Sequence, residues 1–132
     1  MELVVYTGVE ILVWPYLTAE LSARGESVHV GTKVPNPRPD RLIRITAAGG
    51  GERALVLSTR TAIFECWDTS EPQAQRLAEL SYAIMRAAQY DPSIPTVRKV
   101  GTVSAPKYFP DPESASPRYQ FTLAIDVRGA VE

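Results

Sequence analysis

The sequence predicts an α+β fold: a mostly antiparallel or mixed sheet of about five strands, with two helices packed on one face. Three observations carry that expectation. Residues 118–128 alternate apolar and polar side chains, residues 70–89 carry a capped stripe at helical spacing, and the other strand-like segments are separated by polar turns. At 132 residues the chain is one domain by length, large enough to bury a real core.

The segment Arg118 to Arg128 is the strongest strand. Tyr119, Phe121, Leu123, Ile125 and Val127 fall on one face, and Gln120, Thr122, Asp126 and Arg128 on the other, with Ala124 neutral. Burying the five apolar side chains at roughly 1.5–3 kcal/mol each amounts to about 10 kcal/mol as an upper bound. A slip of one residue would turn them all to water, so this strand sets the register of its sheet. The expected outward face carries Gln120, Thr122 and Asp126.

From the N-terminus, Val9, Leu12, Val13, Tyr16, Leu17, Ala19 and Leu21 recur at helical spacing, with Thr7 or Gly8 as cap and Gly25 as stop. Pro15 interrupts it. A proline inside a helix costs roughly 3 kcal/mol, which predicts a kink near Ile11 to Trp14 or a start at Trp14 or Pro15. Ser27 to Val34 and Arg41 to Ala47 alternate as strands, the latter with Ile43 and Ile45 inward and Arg44 outward. Gly49 to Gly51 reads as a turn. Leu55 to Trp67 is a long strand with Ala62, Phe64 and Cys66 on one face and Ile63, Glu65 and Trp67 on the other.

Asp68 to Gln73 is a helix start, with a capping box from Ser70 to Gln73 and Pro72 in the first turn. The stripe Ala74, Leu77, Ala78, Ser81, Ile84, Met85 and Ala88 continues to about Gln89 or Tyr90, where Asp91-Pro92 ends the helix. Thr96 to Ser104 reads as a strand with a bulge at Gly101, followed by a loop from Ala105 to Pro117.

Fourteen basic against 15 acidic residues leave a net charge of −1 and no global signature for nucleic acid. The single Cys66 excludes an internal disulfide and reads as a buried small side chain. His29, the only histidine, has no nucleophile or metal partner at a recognisable spacing. Gly49 to Glu52 lacks the Gly-Lys-Ser/Thr ending of a phosphate loop. The residues therefore point away from an enzyme and to no metal or cofactor. Residues 1–6 carry no basic leader region, and no apolar run has the length of a membrane span.

Two features stand out. Lys33, Arg38, Arg41 and Arg44 against Asp40 give residues 33–44 a local excess of +3, four cations less one acid, suited to phosphate or an acidic surface. Most of the eleven prolines fall in two clusters, at 35–39 and 106–117, which predict two stiff loops. Lys107, Tyr108 and Phe109 lie in the second. The two aromatics read either as interface anchors or as residues folding back onto their own core.

The run Val34-Pro35-Asn36-Pro37-Arg38-Pro39-Asp40-Arg41, the stretch Ala62 to Asp68 leading into a Thr-Ser-Glu helix start, and Phe109-Pro110-Asp111-Pro112 followed by Ser116 to Thr122 resemble the tail terminator proteins of long-tailed, siphovirus-type phages. The resemblance covers nearly the whole chain in length and element order. It implies a non-enzymatic subunit that assembles into a ring, six-fold in that family. The ring caps the tail tube protein, stops tube polymerisation, and offers a docking surface to the head–tail connector or head completion protein. Double-stranded DNA would pass through the ring without sequence-specific contact. The implied place is the head-proximal end of the virion tail, assembled in the host cytoplasm, with no membrane partner. Contact residues on this reading are Pro35, Asn36, Pro37, Arg38, Pro39, Asp40, Arg44, Lys107, Tyr108, Phe109, Pro110, Asp111 and Arg118. Alternatives are another neck or tail subunit, a head completion or tube protein, and a small ligand-binding α+β domain using a cleft between the 74–88 stripe and the sheet.

Overall fold

Arg118–Arg128 forms the strand its alternation predicts, and it lies inside the sheet, hydrogen-bonded along both edges. The computed structural model describes residues 2–132, and Met1 lies outside them. In chain order the elements are β1 (Val4–Val5), α1 (Val9–Ala23), β2 (His29–Gly31), β3 (Leu42–Ala54), β4 (Leu57–Trp67) and α2 (Glu71–Ala87). A 3₁₀ turn (Ala88–Tyr90), β5 (Val97–Tyr108), β6 (Arg118–Arg128) and β7 (Ala130–Val131) complete the chain. The main sheet has five strands in the order β2-β3-β4-β6-β5. All its pairings are antiparallel except β2 with β3, so it is a mixed sheet. Both helices pack against it, and the fold is α+β.

The core forms between the helices and one sheet face. Ile43 and Ile45 of β3, Ala62, Phe64 and Cys66 of β4, and the five apolar residues of β6 meet Val13, Leu17 and Leu21 of α1 and Leu77, Ala78 and Met85 of α2. Phe64 and Phe121 sit opposite each other across β4 and β6 and stack with centroids 4.6 Å apart. Such a pair adds about 0.5–1.5 kcal/mol beyond its buried area. Ser70 caps α2 as the sequence predicts, accepting from the Gln73 N–H, and the stripe from Ala74 to Met85 is buried.

Several boundaries differ from the sequence expectation. α1 starts at Val9 and carries Pro15 within it, so neither a start at Trp14 nor one at Pro15 holds. Pro15 removes the hydrogen bond that would run to Ile11, and both residues lie on the exposed side of the helix, so the freed carbonyl is open to solvent rather than buried unpaired. Its end is as expected: Gly25, at φ 76°, donates to the Ser22 carbonyl while Glu26 donates to Leu21, a Schellman closure. The strand expected over 27–34 shrinks to His29–Gly31 and runs parallel to β3.

Gly49 to Gly51 is not a turn. It is an irregular stretch inside β3, with a register shift between Ala47 and Gly50, and the reversal comes at Leu55–Val56. Gly50 has φ 146°, and a Cβ there would run into the Thr59 carbonyl, so glycine is required for the strands to stay paired. In β5 Gly101 pairs regularly with Ala124, and the irregularities fall at 97–99, 102–104 and 104–107. Lys107 and Tyr108 belong to β5, so the second loop is shorter than expected, covering 109–117. The small β1–β7 sheet was not foreseen.

Candidate functional site

On the sheet face away from the helices, pleating and register place Arg44, Glu65, Trp67 and Arg118 side by side. Arg44 lies opposite Glu65 across β3 and β4, and Trp67 lies opposite Arg118 across β4 and β6. The four belong to the alternate positions that the core face leaves over. Glu65 bridges the two cations: Arg44 Nε donates to Oε1 at 2.7 Å and Arg118 Nη1 to Oε2 at 2.8 Å. The hydrogen bond with Glu65 pushes the Arg44 guanidinium above its ordinary range against the opposing effect of burial. Arg118 Nε also donates to the Phe109 carbonyl at 2.9 Å, which ties the second loop to the sheet.

Trp67 is only 1% exposed although no helix covers its face. Three guanidiniums surround its ring, Arg38 at 5.8 Å, Arg44 at 5.7 Å and Arg118 at 5.2 Å from the centroid. Its Nε1 donates to Asp111 Oδ2 at 3.2 Å. Each cation–π contact contributes about 0.5–2 kcal/mol depending on desolvation. Trp67 is thus the floor on which both proline loops rest.

The loops also meet each other. Arg38, from the 35–40 loop, donates to Ser116 Oγ at 2.9 Å and to the Pro39 carbonyl at 3.0 Å. Asp111 organises the 109–117 loop: its Oδ1 accepts from the Glu113 N–H, and its backbone closes two further bonds, from its own N–H to Ser116 and from Ala115 back to its carbonyl. The Glu113 N–H first, and the Trp67 N–H with it, hold the Asp111 carboxyl below its ordinary value. A cleft of about 300 Å³ opens beside this contact, lined by Val34, Arg44, Trp67, Asp111, Glu113 and Arg118 among others.

Of the contact residues expected from sequence, the structure brings Arg38, Arg44, Phe109, Asp111 and Arg118 into this cluster. Pro37, Asn36, Asp40 and Pro110 are exposed on the loops, while Pro35 and Pro39 are half-buried. Arg118 is buried at 6% and its side chain is spent within its own subunit, so it positions the loop. Lys107 and Tyr108 extend β5. Tyr108 sits against Tyr119 on the helix side, at 5.4 Å, whereas Phe109 packs under Arg118 on the other side. Both aromatics remain partly open, at 43% and 45% exposure.

Trp67, Glu65 and Ser116 are the members that sequence reasoning missed. The available signal was a Glu and a Trp on the non-core face of β4, level with Arg44 and Arg118. The expected basic patch at 33–44 persists only in part as free charge, since Lys33 and Arg38 are in none of the ion pairs among the described residues. Arg44 is paired with Glu65, and Arg41 bonds Asp68 at 3.0 Å and Glu26 at 3.2 Å, a set that also takes in Arg76. Asp126, expected outward, is 5% exposed because Thr59 and Arg53 close over it.

The reactive candidates sit elsewhere. Cys66 is fully buried among core residues, and burial pushes its thiol well up, away from the thiolate that nucleophilic chemistry needs. His29 is exposed on β2. Among the described residues, no group of three His, Cys, Asp or Glu is placed to hold a metal, and no helix is long and apolar enough to cross a membrane. In comparison with known proteins, no family model matches this chain and no curated protein matches it significantly.

Proposed function

We propose that this chain is a structural assembly subunit of the tail-terminator type, which forms a ring on the end of a phage tail tube, stops its growth and presents a surface to the head connector. One observation carries the reading. Two proline-stiffened loops are fastened to each other through Arg38 and Ser116 and to the sheet through Trp67, Asp111 and Arg118, leaving Phe109 and Tyr108 half-exposed at their base. A contact surface ordered before binding loses little entropy on association, and aromatic anchors supply area at low rotamer cost.

Further apolar side chains are exposed on several sides: Ile11 and Trp14 on α1, Leu55 at the β3–β4 turn, and Val103 on the edge strand β5. A ring subunit is touched on two different faces by its neighbours and on others by what lies above and below. The ligand-binding alternative is less well supported, because the α2 stripe is packed against the sheet with Ala74, Leu77 and Ala78 at 0% exposure.

Electron microscopy of the purified chain mixed with its tube protein tests the reading. The native chain should cap tubes at a defined length. The Tyr108→Ala/Phe109→Ala variant should fold and fail to cap, and normal capping by that variant would refute the assignment of the loop base as the contact.

A further inference from the structure

At the end of the sheet opposite the proline loops lies a second surface, shaped by a bulge. In β5 Val97 pairs with Val127 and Lys99 with Asp126, so Arg98 is the extra residue. Strict alternation would send Val97 and Val100 to opposite faces of the sheet. The bulge lets both be buried and leaves Arg98 and Lys99 exposed between them. Arg128, exposed at the end of the adjacent strand β6, joins them, and the three line one open cleft of about 530 Å³.

The rest of that cleft is apolar except for Asp126, with Ala54, Val56 and Leu57 contributed by the β3–β4 turn and its flanks. Leu55, at the same turn, is 88% exposed, more than any other large apolar side chain among the described residues. Asp126 is already engaged by Thr59 at 2.6 Å and by Arg53 at 3.4 Å, so neither Asp126 nor Arg53 carries free charge. None of the ion pairs among the described residues involves Arg98, Lys99 or Arg128. Three unpaired cations thus surround an apolar floor that holds no free acid.

We propose that this cleft binds an extended acidic segment of a partner protein, with its carboxylates on Arg98, Lys99 and Arg128 and an aliphatic side chain on Leu55 and Val56. Charge complementarity selects the acidic partner. Carboxylates on one side of an extended chain recur about every 7 Å, within reach of long side chains rooted on strands about 4.8 Å apart. The apolar floor selects a polypeptide: a nucleic-acid backbone would satisfy the cations and leave Leu55 and Val56 uncovered. A bilayer surface does not enter a cleft, and one exposed leucine falls far short of the apolar face by which interfacial helices hold to lipid.

The inference does not rest on the ring reading, because it is tested on the free chain. The probe is a fluorescein-labelled peptide repeating glutamate, leucine, glutamate and serine, read by fluorescence anisotropy. It should bind the native chain at low salt and be weakened by added salt. Arg98→Gln/Lys99→Gln/Arg128→Gln should lower affinity about tenfold or more. A peptide with serine in place of leucine should bind the native chain about tenfold more weakly, as should the native peptide to Leu55→Ser. Arg24→Gln/Lys33→Gln, removing charge elsewhere, should bind as the native chain does. Should the triple variant fail to fold by thermal unfolding, Lys99→Gln/Arg128→Gln gives the same comparison with a smaller change. No binding by the native chain at low salt, unaltered binding by the folded charge variant, or equal binding of the serine-substituted peptide would each overturn the proposal. Tighter binding of a labelled DNA duplex or of phosphatidylserine vesicles than of the peptide would overturn it as well, by assigning the cleft to nucleic acid or to lipid.

Discussion

Replacing Glu65 by glutamine keeps the side-chain volume and removes the one negative charge beneath Arg44 and Arg118. The two ion pairs differ in burial: the Arg118 side chain is 7% exposed and that of Arg44 34%. Breaking a buried pair from one side costs about 3–5 kcal/mol because a charge is left without compensation. A pair open to solvent contributes about 1 kcal/mol or less. Glutamine retains one acceptor oxygen, which places the expected loss near the lower end, at about 3 kcal/mol. That is a large share of the 5–15 kcal/mol typical of a whole domain, and corresponds to a fall in Tm of about 10 °C. Urea unfolding of Glu65→Gln, Arg118→Met and the double variant checks the origin of the loss. Once Glu65 is neutral, removing Arg118 should cost little more, so the two effects should fall short of additivity by about 2 kcal/mol. Additive effects, or a loss below about 1 kcal/mol for Glu65→Gln, would refute the claim that one buried carboxylate holds this cluster together.

Asp111→Ala should destabilise by about 1–2 kcal/mol at neutral pH, because the buried Trp67 N–H loses its acceptor. Since the folded-state carboxyl is held below its ordinary value of 3.8, this contribution is fully present above that pH and is lost as pH falls through the depressed value. Denaturation curves of the native chain and the variant should therefore converge below pH 3.8, and a constant gap down to the lowest accessible pH would count against it. Gly50→Ala should cost more than about 2 kcal/mol through backbone strain and collision with Thr59, while Gly51→Ala, which has open space, should be close to neutral. Thermal unfolding of the two variants side by side distinguishes them, and equal effects would show that the β3 irregularity is not fixed by Gly50.

The parts of the fold that were readable from sequence are those where one local signal dominates. Strict alternation placed β6 to the residue, and the Ser70 cap with its stripe placed α2, because each pattern permits only one buried face. The readings that failed are those where tertiary pairing overrides composition. Three successive glycines suggest a turn, yet pairing with β4 on both sides of Gly50 is worth more than reversing the chain there. The uneven spacing of Val97, Val100 and Val103 signalled an irregular strand and Gly101 drew the bulge, whereas the irregularities fall on either side of it, the first at Arg98, a residue with no conformational signature. For the site, the two loops were visible as proline clusters, but their meeting place was not. Trp67 and Glu65 look like ordinary members of a strand until register sets them opposite Arg118 and Arg44.

The same register explains why arginines at the two ends of β6 have opposite fates. Arg118 faces Trp67 and reaches the Glu65 carboxylate, so its charge is consumed in holding a loop. Arg128 faces Leu57 and reaches no free acid, because the adjacent Asp126 is occupied from β3 and β4. Charge counted along the chain pointed to residues 33–44 as the basic surface. Charge counted after pairing leaves residues 98, 99 and 128 unpaired side by side, and in the 33–44 segment only Lys33 and Arg38. An opposite substitution at each end separates the two roles: Arg118→Gln should lower stability and loosen the 109–117 loop to protease, since it breaks a buried pair. Arg128→Gln should leave the melting curve within about 0.5 kcal/mol of the native chain, as expected of an exposed, unpaired side chain. If Arg128→Gln proved as destabilising as Arg118→Gln, the cationic end would be structural, and the division of labour along this strand would fail.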